Sequence, residues 1–340
     1  MIIAYKQIRI EDPSHPGEAR RAAARLAEKL SFGEVRTAEL SIVVMELANN
    51  VLAHAQSGEM LLVGWQWASS HGVDIFALDS GPGIPDLHRS MKDGYSTAGT
   101  PGNGLGAVSR LTTGLDVYST PAKGTALFAR VLESTPEQHS HSEFEVGCVL
   151  APIPGESVCG DGLAFLSHDA RHLFMAVDGL GHGAGAAEVS ATAIQVFQDN
   201  AEKSPEAIVH RLHAALRSGR GAVVGVAEID LQRRKLRYCG VGNISGSILG
   251  QGKAQSLVSN NGTVGHVMSR AVQIEYDFPP KAMLVLHSDG LTSHWNLDKY
   301  AGLRSHHPGV IAGVLYRDFK RGRDDASVLT VRERPGAIAA

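Results

Sequence analysis

The stretch from Glu133 to Ser142 constrains this chain more than any other. Ser134-Thr-Pro-Glu-Gln-His-Ser-His141 is polar and has no hydrophobic period, while apolar-patterned sequence lies on both sides. A chain of 340 residues is expected to form two domains, each long enough to bury its own core. The expected division is 1–133, a linker at 134–142, 143–333, and a tail at 334–340. The halves show no internal repeat.

The first half mixes helical and strand periods. Residues 2–10 read as an edge strand and Glu18–Leu30 as an Ala/Arg-rich helix. In Thr37–Ala55, Leu40, Val43, Val44, Leu47 and Val51 recur at helical spacing. Met60–Trp67, Val73–Leu78, Leu115–Tyr118 and Thr125–Leu132 read as strands. A polar, glycine-containing loop at 86–103 precedes a helix beginning at Leu105. In the second half short apolar runs recur at 146–151, 162–167, 172–177, 222–229, 235–241, 244–249, 282–287 and 327–331, with helices near 184–201 and 205–218. That pattern predicts a strand-rich domain with helices packed on sheets.

Composition excludes some classes of function. The formal charge of −3 offers no bulk attraction to nucleic acid. No stretch approaches the roughly 20 apolar residues of a membrane span, and the N-terminus lacks the apolar length of a signal peptide. Cys148, Cys159 and Cys239 have no C-x-x-C spacing, so small buried hydrophobes in a reducing cytoplasm are expected, not a disulfide framework or a zinc site.

Two sets of chemistry remain. In the first half, Glu46 and Asn50 are four apart on a helix and leave the same face. The Asn50 amide oxygen suits Mg²⁺, and Glu46 could take a proton from an attacking hydroxyl. Asp79 ends an apolar strand and is followed by Ser-Gly81-Pro-Gly83. A carboxylate there can accept from an adenine amino group where glycines let the backbone approach. Gly102, Gly104 and Gly106 lead into a helix whose bare N–H groups can face phosphate oxygens, and Thr125 adds a hydroxyl. Each piece alone has a structural explanation: a solvated helix face for Glu46 and Asn50, an ordinary turn for Asp79-Ser-Gly. Their order and spacing favour a nucleotide site. The glycine run follows a loop, not the strand of a dinucleotide-binding unit, and no phosphate-loop lysine motif is present.

In the second half, Asp178-Gly179 and Asp289-Gly290 each follow an apolar run, and Asp161 and Asp324-Asp325 lie beside two more. Separated carboxylates at strand ends suit hard cations such as Mg²⁺ or Mn²⁺. Two such ions can activate water and clamp a phosphoryl group. One Asp-Gly pair would simply be a turn; several in this pattern argue for a metal site. His182 is open between an acid or phosphate contact and plain exposure. His168 and His172 sit in an expected turn, while His139, His141, His306 and His307 read as surface.

Glu46-Leu-Ala-Asn-Asn50 with His54-Ala55, Asp79-Ser-Gly-Pro-Gly-Ile84 and Gly102–Gly106 resemble the N, G1 and G2 boxes of GHKL ATPases. Gly104–Leu111 through Lys123-Gly-Thr125 is similar to the RsbT/RsbW serine-kinase branch. Pro152–Asp161, Asp178–Ala187, His287-Ser-Asp-Gly-Leu291 and Gly322–Ser327 resemble PP2C phosphatases of the SpoIIE/RsbX type. The resemblances cover about 1–132 and 143–333. They imply an α+β chain: a GHKL α/β sandwich, a mixed sheet with helices on one face, then a PP2C-like α/β-β/α sandwich. They imply ATP with Mg²⁺ on Asn50, catalysis at Glu46, and purine recognition at Asp79. In the phosphatase half, Asp178 with the Gly179 carbonyl would bridge two Mn²⁺ or Mg²⁺ ions, with Asp161, Asp289 and Asp324 as further ligands. One departure stands out: the common G-D-x-x-D pattern has Ala164 in place of its last acid.

The resemblance implies a bifunctional cytoplasmic regulator, a Ser/Thr protein kinase joined to a phosphoserine/phosphothreonine phosphatase. STAS-domain proteins of a partner-switching or stressosome pathway are its implied targets. A sigma factor or downstream regulator and a homodimer are further partners to consider. The alternative is an ATP-dependent sequestering module carrying a phosphatase, with one half inactive.

Overall fold

A computed structural model describes residues 1–55, 57–67, 69–87, 104–134, 143–168, 171–250, 252–268 and 270–334. The chain forms two compact units. One contains Ile2–His141 and Leu297–Arg317; the other contains Met1, Ser142–Asn296 and Asp318–Ala340. Residues 297–317 lie beyond the expected linker in the sequence. These belong by sequence to the second half and pack with the first.

The first unit is built on a five-stranded sheet of β1 (Ile2–Ile10), β2 (Gly58–Trp67), β3 (Ser70–Asp79), β4 (Gly114–Thr120) and β5 (Gly124–Leu132), ordered β1-β2-β3-β5-β4. Every pairing is antiparallel, so the sheet is not the mixed one expected. The strands are joined by hairpins or by returns that need no parallel crossover.

Helix α1 (His15–Lys29) starts with Pro16 in its first turn and carries Glu18 there and Lys29 in its last turn. Both charges oppose the helix dipole favourably. Helix α2 (Glu34–Ala55) buries Leu40, Val43, Val44, Leu47, Ala48 and Val51. These pack with Met60 and Leu62 of β2, Val73, Ile75 and Ala77 of β3 and Leu127, Ala129 and Val131 of β5. At ~1.5–3 kcal/mol per large buried side chain, this stripe contributes on the order of 10 kcal/mol gross, before the entropy of ordering. Helix α3 (Gly104–Leu111) follows.

Strand alternation sends Asp74, Phe76 and Leu78 to the opposite face, together with Phe128 and Arg130. The carboxylate of Asp74 is buried there. It accepts from Trp65 Nε1 (2.9 Å) and from Arg130 Nε and Nη2 (2.6 and 2.7 Å). This face is covered by α6 (Pro308–Phe319), a helix that sequence periodicity did not predict. Every residue from Pro308 to Tyr316 is buried, so no polar face marks the helical period. Gly309 faces the Phe128 ring and Gly313 faces Leu78 and Phe76.

The same segment corrects the surface assignment of two histidines. His306 Nδ1 bonds Asp116 Oδ1 (2.8 Å), the His307 backbone N–H donates to Asp116 Oδ2 (2.6 Å), and the His307 ring stacks on Phe128 at 4.4 Å. His139 and His141 lie outside the described residues.

The second unit contains two further sheets. One runs β13-β10-β9-β8-β7, with β14 also on β10: β7 (Asp161–His168), β8 (Arg171–Gly179), β9 (Ala222–Asp230), β10 (Lys235–Val241), β13 (Ser259–Asn260) and β14 (Ile274–Asp277). The other runs β12-β11-β15-β16-β6: β6 (Phe144–Ala151), β11 (Ser245–Leu249), β12 (Gln255–Leu257), β15 (Met283–His287) and β16 (Ala326–Glu333).

Helices α4 (Ala184–Gln198) and α5 (Pro205–Ala215) pack on the first of these sheets. Ser204 caps α5 by accepting from the Ala207 N–H, and Pro205 occupies the first turn. Phe197, Ile208, Val209 and Leu212 meet Leu173, Met175, Val177, Val224 and Val226 beneath them. The three cysteines are buried and free, as expected.

Candidate functional sites

In the first unit the separated motifs meet. Glu46 and Asn50 are both half-buried on α2. A Cβ placed on Gly104 would lie 2.9 Å from Glu46 Oε2, 3.8 Å from Asn50 Oδ1 and 3.9 Å from Asn50 Nδ2. The glycine that opens α3 therefore stands directly against the two polar residues of α2. Asn50 Nδ2 is buried without a hydrogen-bond partner among the described residues. An orphaned amide is costly unless a ligand engages it.

Asp79 ends β3, and a Cβ placed on the nearby Gly81 would lie 2.9 Å from Ala55 at the end of α2. Asp79 Oδ1 accepts from the Gly81 N–H (2.8 Å) and the Thr125 N–H (3.2 Å). Gly124 has a φ of +85°, and a Cβ there would collide with the Asp79 carbonyl. Thr125 Oγ1 lies 3.0 Å from Ser119 Oγ, which accepts from the Ile84 N–H (2.7 Å). The turn of Gly81 and Gly83 is thus tied to β4 and β5. Burial raises the Asp79 carboxyl above its ordinary range, opposed by the Gly81 and Thr125 N–H groups and by the charges of Arg317 and His54. Gly102 lies outside the described residues, whereas Gly104 and Gly106 are in α3. The first unit thus assembles a polar amide, a carboxylate, a second carboxylate at a strand end and a helix N-terminus, as a magnesium nucleotide requires.

In the second unit the strand register sets the chemistry. Asp161 and Asp178 are direct partners across β7 and β8, so their side chains share a face about 5 Å apart. Asp178 is pushed up to about 9 by burial first, then by the charges of Asp161, Asp289, Asp324 and Asp325. Asp161 is pushed up to about 7, mainly by burial, with Ser288 and Ser327 opposing.

Asp289 follows β15 and accepts from Asn243 Nδ2 at 2.8 Å; burial and Asp324 raise it too. Asp324 is exposed. Its neighbour Asp325 is buried, accepting from the Ile153 N–H (2.7 Å) and the Gly160 N–H (2.6 Å). Asp325 is therefore a clasp holding the loop before β7, and Asp324 is the exposed member of the pair, its Oδ1 accepting from the Asp325 N–H (2.9 Å).

The donor chemistry of this acidic cluster suits a divalent cation. Asp161 Oδ2 is buried with no hydrogen-bond partner among the described residues, and like charges stand opposite one another. Among the described residues no three His, Cys, Asp or Glu side chains stand in an arrangement that could already hold a metal ion. Ala164 lies fully buried on the helix side of β7, in the core with Met175 and Val177. That position is on the face opposite Asp161, so the chain has no carboxylate to offer there.

His182 is exposed and bonds Glu156 Oε1 at 2.8 Å. His172 is buried at the start of β8, bonded to Ser167 Oγ (2.9 Å) and Glu143 Oε2 (2.7 Å). No motif points to Asn243, a lone turn residue beside Asp289, or to Arg317, whose Nη1 donates to the Asp79 carbonyl at 3.2 Å.

Comparison with known proteins matches these two sites to two families. Residues 11–131 match the histidine kinase-like ATPase domain, and residues 168–334 match stage II sporulation protein E. The serine/threonine-protein kinase RsbT of Bacillus subtilis is 36% identical over 111 residues, covering 33% of this chain and 84% of RsbT. The chain belongs to the RsbT family through its first half. Its second half is a SpoIIE-type PP2C domain.

The phosphoserine phosphatase RsbX of the same organism is 37% identical over 91 residues, 26% of this chain. The chain spans only 45% of the length of RsbX. Among solved structures, "Crystal structure of RsbX in complex with magnesium in space group P1" aligns with a TM-score of 0.52 at 20% identity, covering 58% of this chain and 98% of that one. A chain of "The bacterial stressosome: a modular system that has been adapted to control secondary messenger signaling" aligns with a TM-score of 0.53 at 24% identity, covering 56% and 100%. At these identities the structural matches establish the fold. No described helix is long and apolar enough to cross a membrane.

Proposed function

We propose that the chain is a two-activity regulator that phosphorylates and dephosphorylates serine or threonine on STAS-domain proteins of a partner-switching pathway. The observation that carries the reading is the meeting of separated motifs within each unit: Gly104 against Glu46 and Asn50, and Asp161 opposite Asp178. The similarity to a kinase and a phosphatase that share one naming series favours a common pathway.

In the kinase unit, Asp79 accepts from the adenine amino group, and Thr125 and Ser119 stiffen the turn that carries it. The N–H groups of the first turn of α3 face the phosphates, which the helix dipole favours. Asn50 holds Mg²⁺. Glu46 takes the proton of the protein hydroxyl as it attacks, held within reach by the close approach of α3. In the phosphatase unit, Asp161, Asp178, Asp289 and Asp324, with the Gly179 carbonyl, would hold Mg²⁺ or Mn²⁺; the bound cations supply water activation and charge neutralisation at the phosphoryl group. Asn243 orients Asp289. Asp325 fixes the loop that presents Asp161.

Asn50→Ala tests the kinase assignment. It should abolish phosphate incorporation into a STAS-domain substrate and leave p-nitrophenyl phosphate turnover intact. Unchanged incorporation would remove Asn50 from the site.

A further inference from the structure

The first-half motifs do not complete the nucleotide site. Asp79 sits where β3 ends, and two N–H donors, from Gly81 and Thr125, already fix one carboxylate oxygen. The other constraint on this strand end comes from far along the chain. Arg317, in the last turns of α6, donates from Nη1 to the Asp79 backbone carbonyl at 3.2 Å. It is half-buried, and its charge acts directly on the Asp79 carboxylate.

Packing holds the helix that delivers it. Gly309 and Gly313 let α6 approach Phe128, Phe76 and Leu78 closely, and Tyr316 Oη accepts from Gln7 Nε2 at 3.0 Å. Upstream, Asp116 fixes His306 and His307. The guanidinium therefore has little freedom to leave the strand end.

We propose that Arg317 is a positioning residue of the nucleotide site, holding the end of β3 so that the Asp79 carboxylate meets the amino group of adenine. The inference deepens the kinase reading and rests on it. Two effects follow from one cation. The bond to the carbonyl fixes the backbone at Asp79. The charge favours the ionised carboxylate, an acceptor, over the neutral acid, which could present a hydroxyl to the base instead. The consequence is organisational: purine recognition in the RsbT-like unit depends on a residue encoded in the second half of the sequence. A protein cut within 134–142 would lack it.

The test uses the full chain and the variants Arg317→Ala and Arg317→Lys, with magnesium complexes of ATP and of ITP, which carries an oxygen in place of the adenine amino group. Dissociation constants come from calorimetry, and p-nitrophenyl phosphate turnover checks that the second unit is intact. The wild type should prefer ATP. Arg317→Ala should lose roughly five- to tenfold in ATP affinity, the scale of one ordinary hydrogen bond, with little change for ITP. Arg317→Lys should recover part of the loss.

An equal loss for both nucleotides would reduce Arg317 to a packing role and overturn the proposal, as would unchanged ATP affinity in Arg317→Ala. If the wild type bound neither nucleotide, the kinase reading itself would fall and take this inference with it. If the wild type bound ATP and ITP equally, Asp79 would not read the amino group, and the positioning role would fall alone.

Discussion

Replacing Asp178 with Asn should make the metal-free protein more stable while destroying its phosphatase activity. Asp178 faces Asp161 across two paired strands, and burial with four neighbouring carboxylates raises it to about 9. An acid whose folded pKa is raised costs stability above its ordinary value. The cost begins near pH 4, grows as pH rises, and reaches its plateau only above the folded pKa. At pH 7 the ceiling is the gap of about three units between ordinary and ambient values, ~4 kcal/mol. Coupling to Asp161 and partial solvent access reduce the expected gain from Asn to ~2 kcal/mol, or about 5 °C in melting temperature.

The assay is thermal unfolding of wild type and Asp178→Asn between pH 4 and 9, in chelator and in Mn²⁺. In chelator the advantage of Asn should be absent near pH 4 and grow with pH. In saturating Mn²⁺ the wild type should gain by mass action and the order should narrow or reverse. A variant that is less stable than wild type in chelator at pH 8 would refute the argument, because Asp178 would then be stabilising the fold through a partner other than a cation.

Three other outcomes follow from particular contacts. Ala164→Asp should not restore a ligand: position 164 is fully buried in the α4/α5 core, and an unpaired carboxyl there should cost several kcal/mol and unfold the second unit on a urea curve. Asp116→Asn should weaken the docking of residues 297–317 by ~1–3 kcal/mol. Burial opposes the ionised Asp116, but its bonds to His306 and His307 outweigh that and hold it below the ordinary value. The stability it adds is therefore present above about pH 4 and lost as pH falls through the lowered value, so wild type and variant should converge in acid. Asp74→Ala should be severe, ~3–5 kcal/mol, since it leaves Arg130 partly buried and Trp65 Nε1 without its acceptor; native-state hydrogen exchange in β3 and β5 would report it.

The candidate site residues were legible because they sit at strand ends and helix starts, where Asp-Gly and Gly-x-Gly interrupt simple periods. Glu46 with Asn50, and Asp79 with its glycines, come together as their order and spacing implied. The strands of both halves could be read from alternation and short apolar runs. What could not be read depends on burial from two sides. Helix α6 is apolar all round, so it shows no amphipathic period, and its Gly309 and Gly313 lower helical propensity while permitting close approach to Phe128 and Leu78.

His306 and His307 look like surface residues until Asp116 and Phe128 are placed beside them. The antiparallel sheet differs from the expected mixed one because strand direction follows from connection geometry, which side-chain pattern does not encode. The separate roles of Asp324 and Asp325 depend on which one the loop N–H groups of Ile153 and Gly160 reach, and adjacency in sequence is silent on that.

The central claim is that one chain carries two separate and opposing phosphoryl-transfer sites. It is tested most directly by following radiolabel from γ-labelled ATP into a STAS-domain protein, using the full chain as wild type, Asp178→Asn, and the double variant Asn50→Ala/Asp178→Asn. The account predicts sustained label with Asp178→Asn, less with wild type in Mn²⁺, and none with the double variant. No label with Asp178→Asn, or equal label with and without Asn50, would contradict it.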